Sequence, residues 1–403
     1  MRNFRNTLIL CFCLIGWAEG KTTIFYDVTD FGAVGDGTTL NTEAIQKAID
    51  TAHADGGGVV VVPRGTFLAG SLFLKSHVTL YLAPNAVLLA SSCPEDYAPV
   101  DFCPQNRAFA GDFVKGSHFI IAVEQENVKI CGEGTINGNG ITFLKDPNSN
   151  RLLPKQKVPW RPGQMLFFCE CENVTVEGVT LTNSPYWTSF YHGCENVRID
   201  GIRIRNRRDA ANADGIDIDC CRNVVIANCD IDTCDDCITL RANTEPLKKK
   251  RPCENVAVSN CVLSSACQAI RVGVGDGEIR NAVFSDLVIH NTNVGLNFHS
   301  SYSPKSPGTM IRNIRFQNIV MEVGEAFHMT YGHAAADRTI SDVYFSDISG
   351  TAQRTSYLRG KPEQPLKNIH FTDIDIHCTG ADTLLKAEHL QGEKIRDCSF
   401  SHL

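Results

Sequence analysis

The chain has 403 residues, 43% of them hydrophobic, a net charge of −7 and 18 cysteines. A chain of this length and apolar content makes two globular domains or one elongated solenoid, and its mildly acidic balance lacks the basic excess that nonspecific nucleic-acid binding needs. Beyond the first twenty residues no stretch is long and apolar enough to cross a bilayer.

Residues 1–20 read as a secretory leader. Arg2 and Arg5 precede an apolar run over 7–18, and Ala18 and Gly20 put small residues where a signal peptidase cuts. The mature chain then begins near Lys21 as an exported protein, secreted or periplasmic. Next comes a glycine-rich turn over 30–37, followed by residues 41–54, where Ala44, Ile45, Ala48, Ile49 and Ala52 share one helical face. A helix there would cover the open end of a stack of strands. The turn has no Lys-Ser/Thr pair and no βαβ setting, so it does not read as a phosphate loop.

A short phrase then recurs. Cys171-Glu172-Asn173-Val174, Cys194-Glu195-Asn196-Val197, Cys221-Arg222-Asn223-Val224 and Cys253-Glu254-Asn255-Val256 are its strong copies. Weaker ones sit at Asn127, Asn281, Asn313, Asp342, Asn368 and Asp397. Successive copies lie 23 to 32 residues apart, except for a step of 46 from Asn127 to Asn173, which has room for two coils. After each copy the residues alternate polar and apolar, as in Val197-Arg198-Ile199-Asp200, which marks a strand with one buried face. Short strands at this period, with no helical pattern between them, bury a continuous core only by stacking coil on coil. The recurring Asn can form a hydrogen-bonded ladder at a corner that needs the left-handed conformation. Sixteen cysteines follow the leader. Those in the repeat would stack as buried thiols, while Cys93 and Cys103, in a Pro-rich stretch, are the better candidates for a disulfide.

Two acidic segments interrupt the repeat. The first is Asn212-Ala213-Asp214-Gly215-Ile216-Asp217-Ile218-Asp219 and the second is Asp232-Thr233-Cys234-Asp235-Asp236-Cys237. Asp214 and Asp235 are 21 residues apart, close to one coil, so stacking brings Asp214 near the Asp235–Asp236 pair. Crowded carboxylates repel, and at least one then holds its proton near neutral pH. Glycoside hydrolysis needs a protonated and an ionised carboxyl together. Spacing alone leaves two other readings open: aspartates that only cap turns, and an acidic cluster that binds calcium.

Further motifs narrow the choice. They are Phe31 to Gly37 with the following helix, Gly134-Thr135-Ile136-Asn137-Gly138-Asn139-Gly140, Arg161-Pro162, Asn183-Ser184-Pro185-Tyr186-Trp187, Asn212-Ala213-Asp214 and Asp235-Asp236-Cys237-Ile238. With these the chain resembles the polygalacturonase-like glycoside hydrolases of family 28 over most of its length. The resemblance implies an all-β fold, a single-stranded right-handed parallel β-helix with an N-terminal capping helix, formed by residues 21–403 as one catalytic domain. It implies an inverting hydrolase without metal or other cofactor, acting as a monomer on a pectic oligo- or polysaccharide. Asp235 would be the general acid, with Asp214 and Asp236 activating water. Asn212, Arg241, Gln268, Arg271, Asn297 and His299 are the candidate substrate-binding residues.

Two departures accompany the resemblance. The family's Gly-His-Gly falls near 265–268, where no histidine stands, and its Arg-Ile-Lys falls on Asn297-Phe298-His299, where both cations are missing. Histidines and tyrosines from later coils (His299, Tyr302, His328, Tyr331, His333) would shape a sugar pocket. Residues 142–164 read as a loop over the groove, which implies exo action if it walls off one end. The basic run over 245–251 reads as a solvated loop or a contact for acidic substrate. A polysaccharide lyase or epimerase on the same scaffold, and a catalytically silent glycan-binding solenoid, are the competing readings.

Overall fold

The computed structural model describes residues 23–99, 102–109, 114, 117–146, 157–380, 383 and 385–402. The leader read over 1–20, the central part of the 142–164 loop and the mature start at Lys21 lie outside the described residues. The chain winds as a right-handed parallel β-helix, each coil crossing three sheets and pairing only with the coil before and the coil after it.

The N-terminal end is closed as the apolar spacing predicts. The helix α1 (Thr42–Ala54) buries Ile45, Ala48, Ile49 and Ala52 against the first coils. Asn41 at its start does not cap it. Its side chain instead accepts from the Val34 amide at 2.6 Å and donates to the carbonyls of Val34 at 3.0 Å and Thr39 at 2.7 Å. The glycine-rich turn is thereby fastened to the helix entrance.

The asparagine ladder exists. Asn127, Asn173, Asn196, Asn223, Asn255, Asn281 and Asn313 all have φ between 54° and 58°, and each amide donates to the oxygen of the one before it at 2.9–3.4 Å. Asparagine suits the place because it tolerates left-handed backbone and carries both a donor and an acceptor for its stacked neighbours. A second ladder, unseen in the sequence reading, joins Asp200, Asn228 and Asn260 at another corner. Inside, like stacks on like: Phe284, Phe316, Phe345 and Phe371 form a column with ring centroids 4.7–5.4 Å apart.

The 46-residue step does not hold two coils. Glu126–Gly132 pairs directly with Glu172–Glu177, and Asn173 bonds to Asn127. The extra residues leave the coil after Asn137, form the short helix Ile141–Leu144 and return at Leu166. Residue count alone cannot separate an inserted loop from a second turn. The cysteine columns are present as free, buried thiols, including Cys171, Cys194, Cys221 and Cys253. Cys93 and Cys103 are not bridged: Cys93 is exposed and its thiol donates to Glu95 at 2.8 Å, while Cys103 is buried in the core.

Candidate active site

One sheet carries the acidic segments. Its strands are β1 (Ser189–His192), β2 (Ile216–Asp219), β3 (Ile238–Ala242), β4 (Gln268–Gly275), the second half of β5 (Glu278–Ser301), the second half of β6 (Met310–Gly332) and β7 (Ser356–Arg359). Ile216 and Ile218 face the core, and strand alternation sends Asp217 and Asp219 outward. The register then lines up Phe190, Asp217, Thr239, Arg271, Asn297 and His328 in one outward row. Asp214 and the Asp235–Asp236 pair sit at the corner just before this sheet. The Gly215 amide donates to the Asp236 carbonyl at 2.8 Å, which carries the ladder through the corner and sets Asp214 beside Asp236 on adjacent coils.

The row faces away from the core, yet loops bury most of it. Asp214 and Asp236 are each 2% exposed, Asp217 is 0% and Arg271 3%, while Asp235 is only half-buried and so is reached from solvent. A groove of about 530 Å³, lined by Arg208, Ser265, Ala266, Asn291, Asn293 and Arg354 among others, opens on the coils after Asp235, and none of Asp214, Asp217, Asp235 or Asp236 lines it.

Burial disfavours ionised carboxyls here, and neighbouring charge adds to it. Asp214 is raised well above the usual carboxylate range by burial first, then by Asp235, Asp217 and Asp236. Asp217 is pushed up to about 7 by burial, against the pull of Arg241 and Arg271. Asp235 is raised by burial and by the charge of Asp236, while Arg271 and a hydrogen bond with the Cys267 thiol hold it down. Asp236 accepts from Arg271 and from the Thr239 hydroxyl at 3.2 Å. Arg241 lies 3.5 Å from Asp217 and 4.0 Å from the Trp187 ring centroid, a cation–π contact that screens the ion pair from water.

Buried polar atoms normally find partners, so the exceptions are informative. Asp214 Oδ1, both oxygens of Asp217, Asp236 Oδ1, Arg241 Nε, Gln268 Oε1 and Asn297 Oδ1 have no hydrogen-bond partner within the protein. These atoms belong to residues on neighbouring positions of one face, the arrangement of a site that binds a polyhydroxylated ligand.

Residues 89–393 match the family described as "Glycosyl hydrolases family 28", and residues 25–92 match "Rhamnogalacturonase A/epimerase, pectate lyase-like". The chain belongs to glycosyl hydrolases family 28. It is a glycoside hydrolase. Among this family's proteins it is similar to a "Probable polygalacturonase" of Vitis vinifera, 28% identical over 374 residues that cover 87% of this chain and 74% of the relative. It is also similar to an "Endo-polygalacturonase" of Pectobacterium parmentieri, 26% identical over 389 residues, 91% of this chain and 93% of the relative. The crystal structure of a hyperthermoactive exopolygalacturonase from Thermotoga maritima superposes with a TM-score of 0.74 at 23% identity, covering 93% of this chain and 92% of that one, and so shares the fold.

The family's sequence motifs guide where each candidate residue falls. Asp214, Asp235, Asp236, Arg241, Gln268, Arg271, Asn297 and His299 converge on this one face. Asn212 stands at its edge with φ 62°, and its side-chain oxygen accepts from Arg161 at 3.2 Å. That bond ties the buried Arg161, which also stacks 4.6 Å over Tyr186, to the acidic corner. Arg271 is not a solvent-facing strand residue; it is the buried counter-ion of Asp236. Tyr331 does not line the face. It is in the core, its hydroxyl donating to Pro365 and accepting from the Ile340 amide, both at 3.0 Å. The basic run folds back over upstream coils: Lys248 pairs with Glu124, the Lys249 amide donates to Glu170 at 2.8 Å and Arg251 lies 3.5 Å from Glu195.

Sequence reading assigned no role to two participants. Cys267, at the place of the absent histidine, brings its sulfur within 4.8 Å of carboxylate oxygens of both Asp235 and Asp236. Asp217 was hidden in an Ile-Asp-Ile-Asp alternation that reads as ordinary surface. Trp187, in the 183–187 motif, covers Arg241 from two coils upstream.

Proposed function

We propose that this chain is an exported, monomeric, inverting hydrolase that cuts α-glycosidic bonds in pectic polysaccharide or oligosaccharide, of galacturonan or rhamnogalacturonan type, working from chain ends. The observation that carries the reading is the convergence of Asp214, Asp235 and Asp236 on adjacent coils, with Asp214 Oδ1 and Asp236 Oδ1 left without a hydrogen-bond partner in the protein. Asp235 has its proton affinity raised and is the solvent-reached member, which suits the acid that protonates the leaving oxygen. Asp236 accepts from Arg271 and Thr239 through one oxygen and keeps Oδ1 for a water. Asp214 stands beside it and shares the task of holding that water, which attacks the opposite face of the sugar and inverts the anomeric centre. Leu144 and Val158, from the two limbs of the inserted loop, pack against Ala210 and Ala213 beside Asp214, and this cover supports action at one end of the substrate.

The test is a screen of galacturonan and rhamnogalacturonan oligomers with wild type and Asp235→Asn, following products by NMR. A fresh reducing end of inverted configuration is expected, with turnover down about 100- to 10,000-fold in the variant. An unsaturated, ultraviolet-absorbing product would transfer the protein to the lyases. Unchanged turnover in Asp235→Asn would remove the assigned acid.

A further inference from the structure

We propose that Asn206 is a positioning residue for the catalytic pair, fixing Asp214 against the segment that carries Asp235 through the side chains of Thr188 and Thr233. This rests on the hydrolase reading above and names what sets the geometry of that site.

The hydrogen bonds around Asp214 lead back to one side chain. The carbonyl of Ala213, in the peptide before Asp214, accepts from the Thr233 hydroxyl. The carbonyl of Asp214, in the peptide after it, accepts from the Thr188 amide at 2.9 Å. Thr188 opens the preceding coil, and Thr233 closes the coil that Asp214 opens. Both threonine hydroxyls then meet on Asn206, whose Nδ2 donates to Thr188 Oγ1 at 2.8 Å and to Thr233 Oγ1 at 3.1 Å. A side-chain amide nitrogen carries two hydrogens, and each has a partner here. Asn206 is itself anchored: its Oδ1 accepts from the Ser184 amide and its own amide donates to the Asp232 carbonyl, both at 2.9 Å.

The same network runs into the acid. Thr233 stands two residues before Asp235, so the hydroxyl that holds the Asp214 peptide belongs to the segment that delivers Asp235. The Asp235 carbonyl accepts from the Ser265 hydroxyl, and Ser265 lies beside Thr233 in the register of the next coil. Acid and base are thereby set against each other by side chains that never meet the substrate, since Thr188 and Thr233 are 0% exposed.

Asparagine at 206 answers to this role and not to the backbone. The ladder asparagines have left-handed φ and bond to one another at an exposed corner. Asn206 is not among the residues of positive φ, is buried, and bonds to hydroxyls. The need for a tie is local. Residues 206–215 leave the sheet between the strands Arg203–Arg205 and Ile216–Asp219, and Asp214 lies at the end of that excursion. Inversion requires acid and base at a separation that admits one water, and a misplacement of about 1 Å costs about 100-fold in rate.

The experiment measures kcat and KM on a pectic oligomer that the wild type cleaves, well below the melting temperature of each variant. Thr233→Val keeps the shape and deletes the hydroxyl, Thr233→Ser keeps the hydroxyl, and Asn206→Ala removes the hub. Asn223→Ala, which loses ladder bonds at a different corner, is the control for stability alone. Thr233→Val and Asn206→Ala are each expected to lower kcat about 10- to 100-fold with KM within about twofold, and the double variant to lose little more than the larger single loss. Thr233→Ser and Asn223→Ala are expected to stay within about threefold of wild type in kcat. Where Thr233→Val or Asn206→Ala fails to fold, Thr188→Val, which deletes one of the two acceptors, takes its place with the same expectation. A lowered melting temperature with kcat as high as in Asn223→Ala overturns the inference, because the network then serves stability only. A rise in KM at constant kcat, or Thr233→Ser as impaired as Thr233→Val, overturns it too. Each of these leaves the hydrolase reading standing, which Asp235→Asn tests by itself; a wild type that cleaves no oligomer removes both.

Discussion

Replacing Arg271 with methionine separates the electrostatic role of this side chain from its bulk. The guanidinium is 3% exposed and bound to a carboxylate, Asp236, that is 2% exposed. Removing one partner of a buried pair leaves the other charge without compensation, which costs about 3–5 kcal/mol, whereas replacing both partners with neutral groups is far milder. Arg271→Met should therefore lower the free energy of urea unfolding by about 3–5 kcal/mol, and Asp236→Asn with Arg271→Met by clearly less than the sum of the two single changes. Arg271 also holds down the proton affinities of Asp217 and Asp235. Without it both rise, and the pH–activity profile moves to higher pH. The assay pairs equilibrium unfolding at fixed pH with kcat/KM across pH on whichever pectic oligomer the screen identifies. A single variant within about 1 kcal/mol of wild type, or single changes that simply add, would mean that the pair is solvated and that the closed geometry argued above is wrong.

Stability should fall as pH rises through neutrality. Asp217 binds its proton more tightly folded than unfolded, so its contribution is complete below the unfolded pKa near 3.8 and is lost as pH rises through about 7. That displacement is worth about 4 kcal/mol at most, and thermal melts of Asp217→Asn should show a flatter decline between pH 5 and 8 than wild type. In the ladder, Asn223 has φ 58° and bonds to Asn196 and Asn255 at 3.1 Å. Asn223→Ala should cost about 2–3 kcal/mol through lost bonds and left-handed strain, while Asn223→Gly, free of the strain, should cost about 1 kcal/mol by chemical denaturation. Thiol titration of the native protein should modify Cys93 quickly, and Cys234 and Cys267 slowly, leaving the buried columns unreactive. A melting temperature that drops on adding reductant would show disulfides where the described cysteines are free.

What the sequence displayed, and what it concealed, follows from one property of the coil. Corner positions need a particular backbone conformation, so Asn and Cys recur there with a period that survives changes in every other residue. Asn127 to Asn368 could be read as a ladder for that reason. Loops obey no such constraint, and the 46 residues between Asn127 and Asn173 had the length of two coils but the connectivity of one. The acidic doublet was legible because adjacent aspartates before an apolar strand are chemically unusual. Asp217 was not, because alternation gives the direction of a side chain and not what covers it. Only the loops returning through Arg161, Tyr186 and Trp187 turn an outward position into a buried one.

That covering explains how a repetitive scaffold acquires a chemically active face. Each coil delivers one side chain to the outward row at a spacing of about 4.8 Å, too close for independent ionisation once water is excluded. On another sheet of the same coils Glu172, Glu195 and Arg222 stand in register without such a cover, and Arg222 pairs with Glu195 at the surface. Where loops close over the row, burial raises Asp214 and Asp217, and each cation is drawn to an acid. The stability spent on these groups is compensated by the apolar core beneath them and by the asparagine ladder that passes the same coils. A change that opens the cover without touching the row, such as Trp187→Ala, should therefore release Arg241 to solvent and lower the proton affinity of Asp217. It should also reduce activity while improving stability at high pH relative to low. If Trp187→Ala leaves the pH dependence of unfolding as it is in wild type, the cover is not what tunes the row.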